Sequence, residues 1–184
     1  MKRKGIKIII PKRELDKRIR ELGSKISRDY AGKEPILIGI LKGSFIFLAD
    51  LVRQMKIPHQ IDFIAVASYG QEVVGSGAVK LIKDLSVNIE EKDVIIIEDI
   101  VDTGLTLNFI RKNLLLRSPK SIEIVTLLDR KERRKVEVPI RYVGFAIPNE
   151  FVVGYGLDLA ERYRNLPYIA RVEGARLAQR KFEL

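Results

Sequence analysis

The sequence predicts a single α/β domain built on a largely parallel, twisted sheet flanked by helices, and two patterns carry that reading. Largely apolar segments of strand length recur at residues 36–41, 94–97 and 122–128, the run at 94–97 being unbroken and β-branched, and such segments suit strands buried on both faces. Between them lie stretches whose apolar residues fall at helical spacing, so strands alternate with helices and pair in parallel. A length of 184 residues accommodates one such domain over positions 1–184, with a substantial core and no internal repeat or linker.

In chain order, residues 11–30 carry Leu15, Ile19, Leu22 and Ile26 with charges between them, an amphipathic helix that covers the sheet. Pro35 opens the strand 36–41, which ends in Lys42-Gly43-Ser44 ahead of an apolar helix from Phe45 to Met55. Lys42 is a lone cation at a strand's carboxyl end, where open α/β sheets place ligands; an ordinary solvated lysine is the competing reading. Residues 61–68 read as a third strand. Residues 69–78 (YGQEVVGSGA) hold three glycines without helical periodicity, a mobile loop or a plain hairpin turn, and 79–81 return as a strand. A charged connection over 84–93 leads to the central strand, and the helix behind it runs to about Leu116, before Ser118-Pro119. The strand 122–128 delivers Asp129, Arg130 and Lys131 to the rim, 141–147 form another strand, and the apolar segment 151–155 (FVVGY) precedes Gly156-Leu157-Asp158.

The central stretch, VIIIEDIVDTGLTL from Val94 to Leu107, carries the chemistry. The apolar run ends in the acid pair Glu98 and Asp99, and Asp102-Thr103-Gly104 form a strand-to-helix turn ahead of Leu105-Thr106-Leu107. Backbone N–H groups at a helix start, the freedom of Gly104 and the hydroxyls of Thr103 and Thr106 suit a phosphate. Three carboxylates would repel that anion unless a cation intervenes, and hard oxygen ligands facing a phosphate-bearing substrate are a magnesium arrangement. Asp102, nearest the phosphate turn, is free to handle a proton. The competing reading is a capped helix with Asp102 or Thr103 as N-cap and nothing bound.

The wording Glu98-Asp99-Ile100-Val101-Asp102-Thr103-Gly104 resembles the phosphoribosyl-pyrophosphate loop of the phosphoribosyltransferases, most closely the hypoxanthine-guanine members, and the resemblance extends from about Leu41 to Tyr168. It implies the type I phosphoribosyltransferase fold, with a small hood from the terminal segments over the active site. The implied activity is purine salvage: 5-phosphoribosyl 1-pyrophosphate plus hypoxanthine or guanine gives IMP or GMP plus pyrophosphate. Asp102 is then the general acid–base at the purine imidazole nitrogen, and Asp102, Thr103, Gly104, Leu105 and Thr106 bind the 5′-phosphate. Glu98 and Asp99 serve the ribose and Mg2+; Lys42 and Gly43, with an unusual cis peptide, and Arg164 meet the pyrophosphate. Phe151 stacks on the purine, the Val152 backbone reads its edge, and Asp158 holds a second magnesium beside the base. Ser68 and Tyr69 open a lid that excludes water. The family pattern Leu-Leu-Asp-Lys, whose lysine donates to the purine 6-oxo group, is replaced by Leu127-Leu128-Asp129-Arg130. Arginine is longer and forked, so the exchange is not neutral. Alternating side-chain directions favour Arg130 as the purine reader over Lys131. A homodimer or homotetramer is implied as well.

The chain has no cysteine, which removes disulfides and thiol chemistry and fits a reducing compartment. The basic N-terminus is followed by an apolar run far too short for a signal or a membrane span, so a cytoplasmic protein without membrane contact is expected. A net charge of +10 invites a nucleic-acid reading. Its basic residues, however, are mixed with acids over 12–18, and the densest run, DRKERRK at 129–135, lacks aromatic interleaving, so nucleic acid is not expected as a partner. Rival functions are an RNA-binding attenuation regulator of the same fold and a phosphoribosyltransferase for xanthine or adenine.

Overall fold

The computed structural model describes residues 5–68 and 79–172. The chain runs β1 (Ile6–Ile10), α1 (Lys12–Asp29), β2 (Ile36–Leu41), α2 (Phe45–Gln54), β3 (Gln60–Ser68), β4 (Val79–Lys83), β5 (Asp93–Val101), α3 (Leu105–Leu115), β6 (Ser121–Asp129), a 3-10 turn at Lys131–Arg133, β7 (Tyr142–Ala146), β8 (Val152–Val153) and β9 (Ile169–Val172). Six strands form the main sheet in the order β4-β3-β2-β5-β6-β7. All neighbours pair in parallel except β4, which runs antiparallel to β3 at one edge.

The unbroken apolar runs are explained by cover on both faces of the sheet. Ile95 and Ile97 of β5 pack with Leu15, Ile19, Leu22 and Ile26 of α1 and Phe47, Leu48 and Leu51 of α2. Val94 and Ile96 pack on the opposite face with Leu107, Ile110 and Leu114 of α3. Full burial of such a side chain stabilises by about 1.5–3 kcal/mol, so these two layers dominate the core. At the β7 edge, Arg18 of α1 donates to the carbonyls of Val143 and Gly144, both at 2.8 Å, which satisfies backbone groups of a strand that has no outer neighbour.

Successive strands are laid down outward in opposite directions from the β2–β5 pair. The strand order therefore reverses there, and a crevice opens between the loops at the two carboxyl ends. Lys42-Gly43-Ser44 and Asp102-Thr103-Gly104 are those loops. A second, three-stranded antiparallel sheet, β1-β9-β8, forms the hood. Its core is Val153, Leu166 and Ala170, with Ile6 and Phe151 packed against them. β1 comes from the start of the chain, while β8 and β9 both come from its last third. The run at 6–10 (IKIII) is β-branched, but its partner lies some 160 residues away at Ile169–Val172, so local sequence does not show what it pairs with.

Candidate active site

The central strand runs further than its apolar run suggests. β5 extends to Val101, since Ile100 and Val101 are apolar and pair with Leu128 and Asp129 of β6, so the acid pair lies within the strand and only Asp102-Thr103-Gly104 form the turn. The side-chain alternation slips beyond the acids: Ile100 joins the layer under α1 and α2, and Val101 the layer under α3. Asp99 is buried, and its Oδ1 accepts from its neighbour Ile100 N–H at 2.8 Å. Burial, with the Asp99 charge beside it, pushes Glu98 well above the usual carboxylate range; burial raises Asp99 as well.

Gly104 is the N-cap of α3, at φ +82 in the left-handed region, and the helix has no side-chain cap. A Cβ there would collide with the Val136 carbonyl, so glycine is required by both conformation and space. Neither Asp102 nor Thr103 caps the helix; the Thr103 hydroxyl makes only a long 3.4 Å contact to Leu105 N–H. The first-turn donors therefore face a cavity of about 250 Å3 lined by Glu98, Asp99, Asp102, Thr103, Gly104 and Thr106. Leu105, by contrast, presents a partly exposed side chain outside that lining.

Asp102 is held by two arginines, Arg130 at 3.3 Å and Arg133 at 3.1 Å, both on Oδ2. Its Oδ1 is buried and has no hydrogen-bond partner among the described residues. Arg130, 5% exposed, also donates to the Glu150 carbonyl at 2.5 Å, whereas Lys131 is exposed at the start of the 3-10 turn. Burial lowers the Arg130 pKa and Asp102 opposes the shift. The run after the strand is anchored: Arg134 pairs with buried Asp129, and the N–H groups of Lys135 and Val136 both donate to the Thr103 carbonyl at 2.9 and 3.1 Å.

A third group gathers around Lys42. The Leu41–Lys42 peptide is cis, and a Cβ on Gly43 would run into the Asp99 carboxylate. Lys42 Nζ lies 3.1 Å from Glu161, and Arg164 pairs with both Asp158 at 2.8 Å and Glu161 at 3.2 Å while donating to the Gly156 carbonyl at 2.7 Å. Lys42, Arg164 and Asp158 are thus together. Phe151 packs in the hood, and Val152 is buried opposite Arg171 in the β8–β9 ladder. Ser68 ends β3; Tyr69 and the rest of the expected lid, 69–78, lie outside the described residues.

Four side chains of this region escaped the sequence reading of the site: Arg133, Arg134, Glu150 and Glu161. The first two sit in the DRKERRK run, whose one detectable signal was an acid leading it from a buried strand. Glu150 supplies a carbonyl to Arg130 and a carboxylate to Arg171 at 2.9 Å. Among the described residues no group of three potential metal ligands converges.

Residues 7–160 match the model of the phosphoribosyl transferase domain. The chain is 50% identical over 169 residues to the hypoxanthine phosphoribosyltransferase of Salmonella typhimurium, covering 91% of this chain and 95% of that one. A crystal structure of a hypoxanthine-guanine phosphoribosyltransferase from Bacillus anthracis, with HEPES in its active site, superimposes with a TM-score of 0.86 at 50% identity, covering 90% of this chain and 97% of that chain. The hypoxanthine phosphoribosyltransferase of Trypanosoma cruzi in complex with its product IMP superimposes with a TM-score of 0.86 at 40% identity, covering 92% and 95%.

Proposed function

The chain belongs to the phosphoribosyltransferase family, and on that premise we propose how its own residues carry the reaction. It is a purine-salvage enzyme that transfers the phosphoribosyl group of 5-phosphoribosyl 1-pyrophosphate to hypoxanthine, giving IMP and pyrophosphate. Guanine is the second acceptor in this proposal.

The uncapped N-terminus of α3, with Thr103, Gly104, Leu105 and Thr106, binds the 5′-phosphate through backbone donors, and the helix dipole adds to the attraction. Asp102 faces the purine and exchanges a proton with its imidazole nitrogen through the buried, unpartnered Oδ1, while Arg130 and Arg133 keep Oδ2 engaged and the carboxylate oriented. Arg130 donates to the 6-oxo group, Phe151 stacks on the ring, and the Val152 backbone meets its edge. Lys42, the Gly43 backbone and Arg164 hold the pyrophosphate.

Magnesium suits the donor set beside the cavity. Glu98 and Asp99 are two hard carboxylates whose ionisation is opposed by burial, an opposition that a cation relieves. Two protein ligands are few for this ion, which takes its remaining positions from water and substrate oxygens. When bound, it supplies charge screening for the departing pyrophosphate. Asp158 is the ligand proposed for a second ion. Assembly as a homodimer or homotetramer and a cytoplasmic location complete the proposal; among the described residues no helix is long and apolar enough to cross a membrane.

The observation that carries this reading is the lining of one cavity by Glu98, Asp99, Asp102, Thr103, Gly104 and Thr106. Steady-state formation of nucleotide from phosphoribosyl pyrophosphate with hypoxanthine, guanine, xanthine and adenine, each with magnesium and with chelator, tests it. Magnesium-dependent turnover of the 6-oxopurines is expected; turnover without magnesium, or of adenine alone, would overturn it.

A further inference from the structure

Between the two cations proposed for the pyrophosphate stands a carboxylate. Glu161 Oε1 lies 3.1 Å from Lys42 Nζ and its Oε2 3.2 Å from the Arg164 guanidinium, so one side chain spans both. The backbone aims it there. Leu159 and Arg162 exchange N–H···O bonds of 3.1 Å in both directions, and the two residues between them, Ala160 and Glu161, have φ of 52 and 60. This is the hairpin turn with two left-handed central positions, which favours Asn and Gly. A long acidic side chain occupies one of them, its backbone N–H pinned at 2.9 Å to Asp158 Oδ2.

We infer that Glu161 is a built-in counter-anion of the pyrophosphate subsite, occupying Lys42 and Arg164 when the ligand is away and competing with pyrophosphate for them. Its carboxylate joins the two cations as a pyrophosphate oxygen would, so ligand entry exchanges one set of ion pairs for another. The consequence is a pyrophosphate that leaves more readily than it would without the Glu161 charge, although Asp158 also pairs with Arg164 at 2.8 Å. The inference rests on the placement of pyrophosphate at Lys42 and Arg164, and its test separates the two.

The decisive variant is Glu161→Gln, which keeps the shape and removes the charge; Glu161→Ala repeats the test without the amide. Inorganic pyrophosphate with magnesium is the probe, measured as product inhibition and by calorimetry on the whole protein. Exposed ion pairs are individually weak, so the inhibition constant for pyrophosphate and the KM for phosphoribosyl pyrophosphate should each fall about 3- to 10-fold, with the KM for hypoxanthine unchanged. In a Lys42→Ala background the Glu161→Gln effect should shrink, because the two groups act through one contact. A rise in either constant would make Glu161 an orienting residue and overturn the inference, as would no change in both variants. If Lys42→Ala and Arg164→Ala leave pyrophosphate binding intact, the subsite assignment itself falls.

Discussion

Replacing Arg130 with alanine bears directly on how the purine is recognised. The guanidinium is 7% exposed in its side chain and makes two contacts, to Asp102 Oδ2 at 3.3 Å and to the Glu150 carbonyl at 2.5 Å. A hydrogen bond involving a charged group contributes about 1.5–3 kcal/mol, so losing the one assigned to the 6-oxo oxygen should cost about 10- to 150-fold in kcat/KM for hypoxanthine. KM for phosphoribosyl pyrophosphate should barely move, because Asp102 keeps Arg133 and the phosphate turn is untouched. Loss of the Glu150 bond adds a stability penalty of similar size, about 3–12 °C in Tm at about 2–4 °C per kcal/mol for a chain of this length, so kinetics are read well below that temperature. Lys131→Ala, at an exposed position, is the control and should do little. Loss of hypoxanthine affinity in Lys131→Ala with none in Arg130→Ala would transfer the role, and no effect in either would refute recognition of a 6-oxo group from this loop.

Asp102→Asn should leave the fold and phosphoribosyl-pyrophosphate binding near normal while lowering kcat by about two to four orders of magnitude, the span of general acid–base catalysis; an unchanged kcat removes Asp102 from the chemistry. Glu98→Gln and Asp99→Asn should each weaken phosphoribosyl-pyrophosphate binding in magnesium and flatten its dependence on the metal, checked by titration at several magnesium concentrations. Away from the site, Asp62 is buried; burial raises its pKa, but N–H donors from Phe63 (2.7 Å), Ser86 (2.6 Å) and Val87 (3.1 Å) together with Lys83 outweigh it and lower the value overall. The sign follows: its contribution is present above the ordinary aspartate pKa and is lost as pH falls through the lowered one. Asp62→Ala should therefore cost about 3 kcal/mol in urea unfolding at pH 7, and the gap to the unmodified protein should close only in strong acid.

Much of this architecture was legible because it is written locally. Residues 36–41 and 94–97 are apolar throughout and 122–128 at all but Glu123 and Thr126, as suits strands covered on both faces, and Leu15, Ile19, Leu22 and Ile26 repeat at helical spacing. The acid pair and Asp-Thr-Gly turn were equally visible, being contiguous in the chain. What escaped is nonlocal. Strand β1 depends on β9 at the far end of the chain, and the extension of β5 past two charged residues depends on pairing with β6. The placement of Glu161 depends on a turn whose left-handed residues are Ala and Glu, neither of which announces that conformation. Asp129 opens the charge run at 129–135, yet the end of β6 buries it between β5 and β7 and Arg134 offsets its charge, a compensation that becomes visible only when both positions are located in space.

Two absent side chains couple the parts of the site. A methyl on Gly43 would strike the Asp99 carboxylate, and a methyl on Gly156, at φ +102, would strike the Gly43 carbonyl. The acid of β5, the turn after β2 and the loop after β8 are therefore stacked in backbone-to-carboxylate and backbone-to-backbone contact, with no side chain between layers to absorb a displacement. Gly156 is bound in turn to Arg164, its N–H donating to the Arg164 carbonyl at 2.9 Å and its carbonyl accepting from the guanidinium at 2.7 Å. The residues proposed for the ribose, the metal and the pyrophosphate thus form one rigid stack. Such a stack suits a transfer in which the sugar must be held while the bond to pyrophosphate breaks, because orientation is set by the fold before substrate arrives.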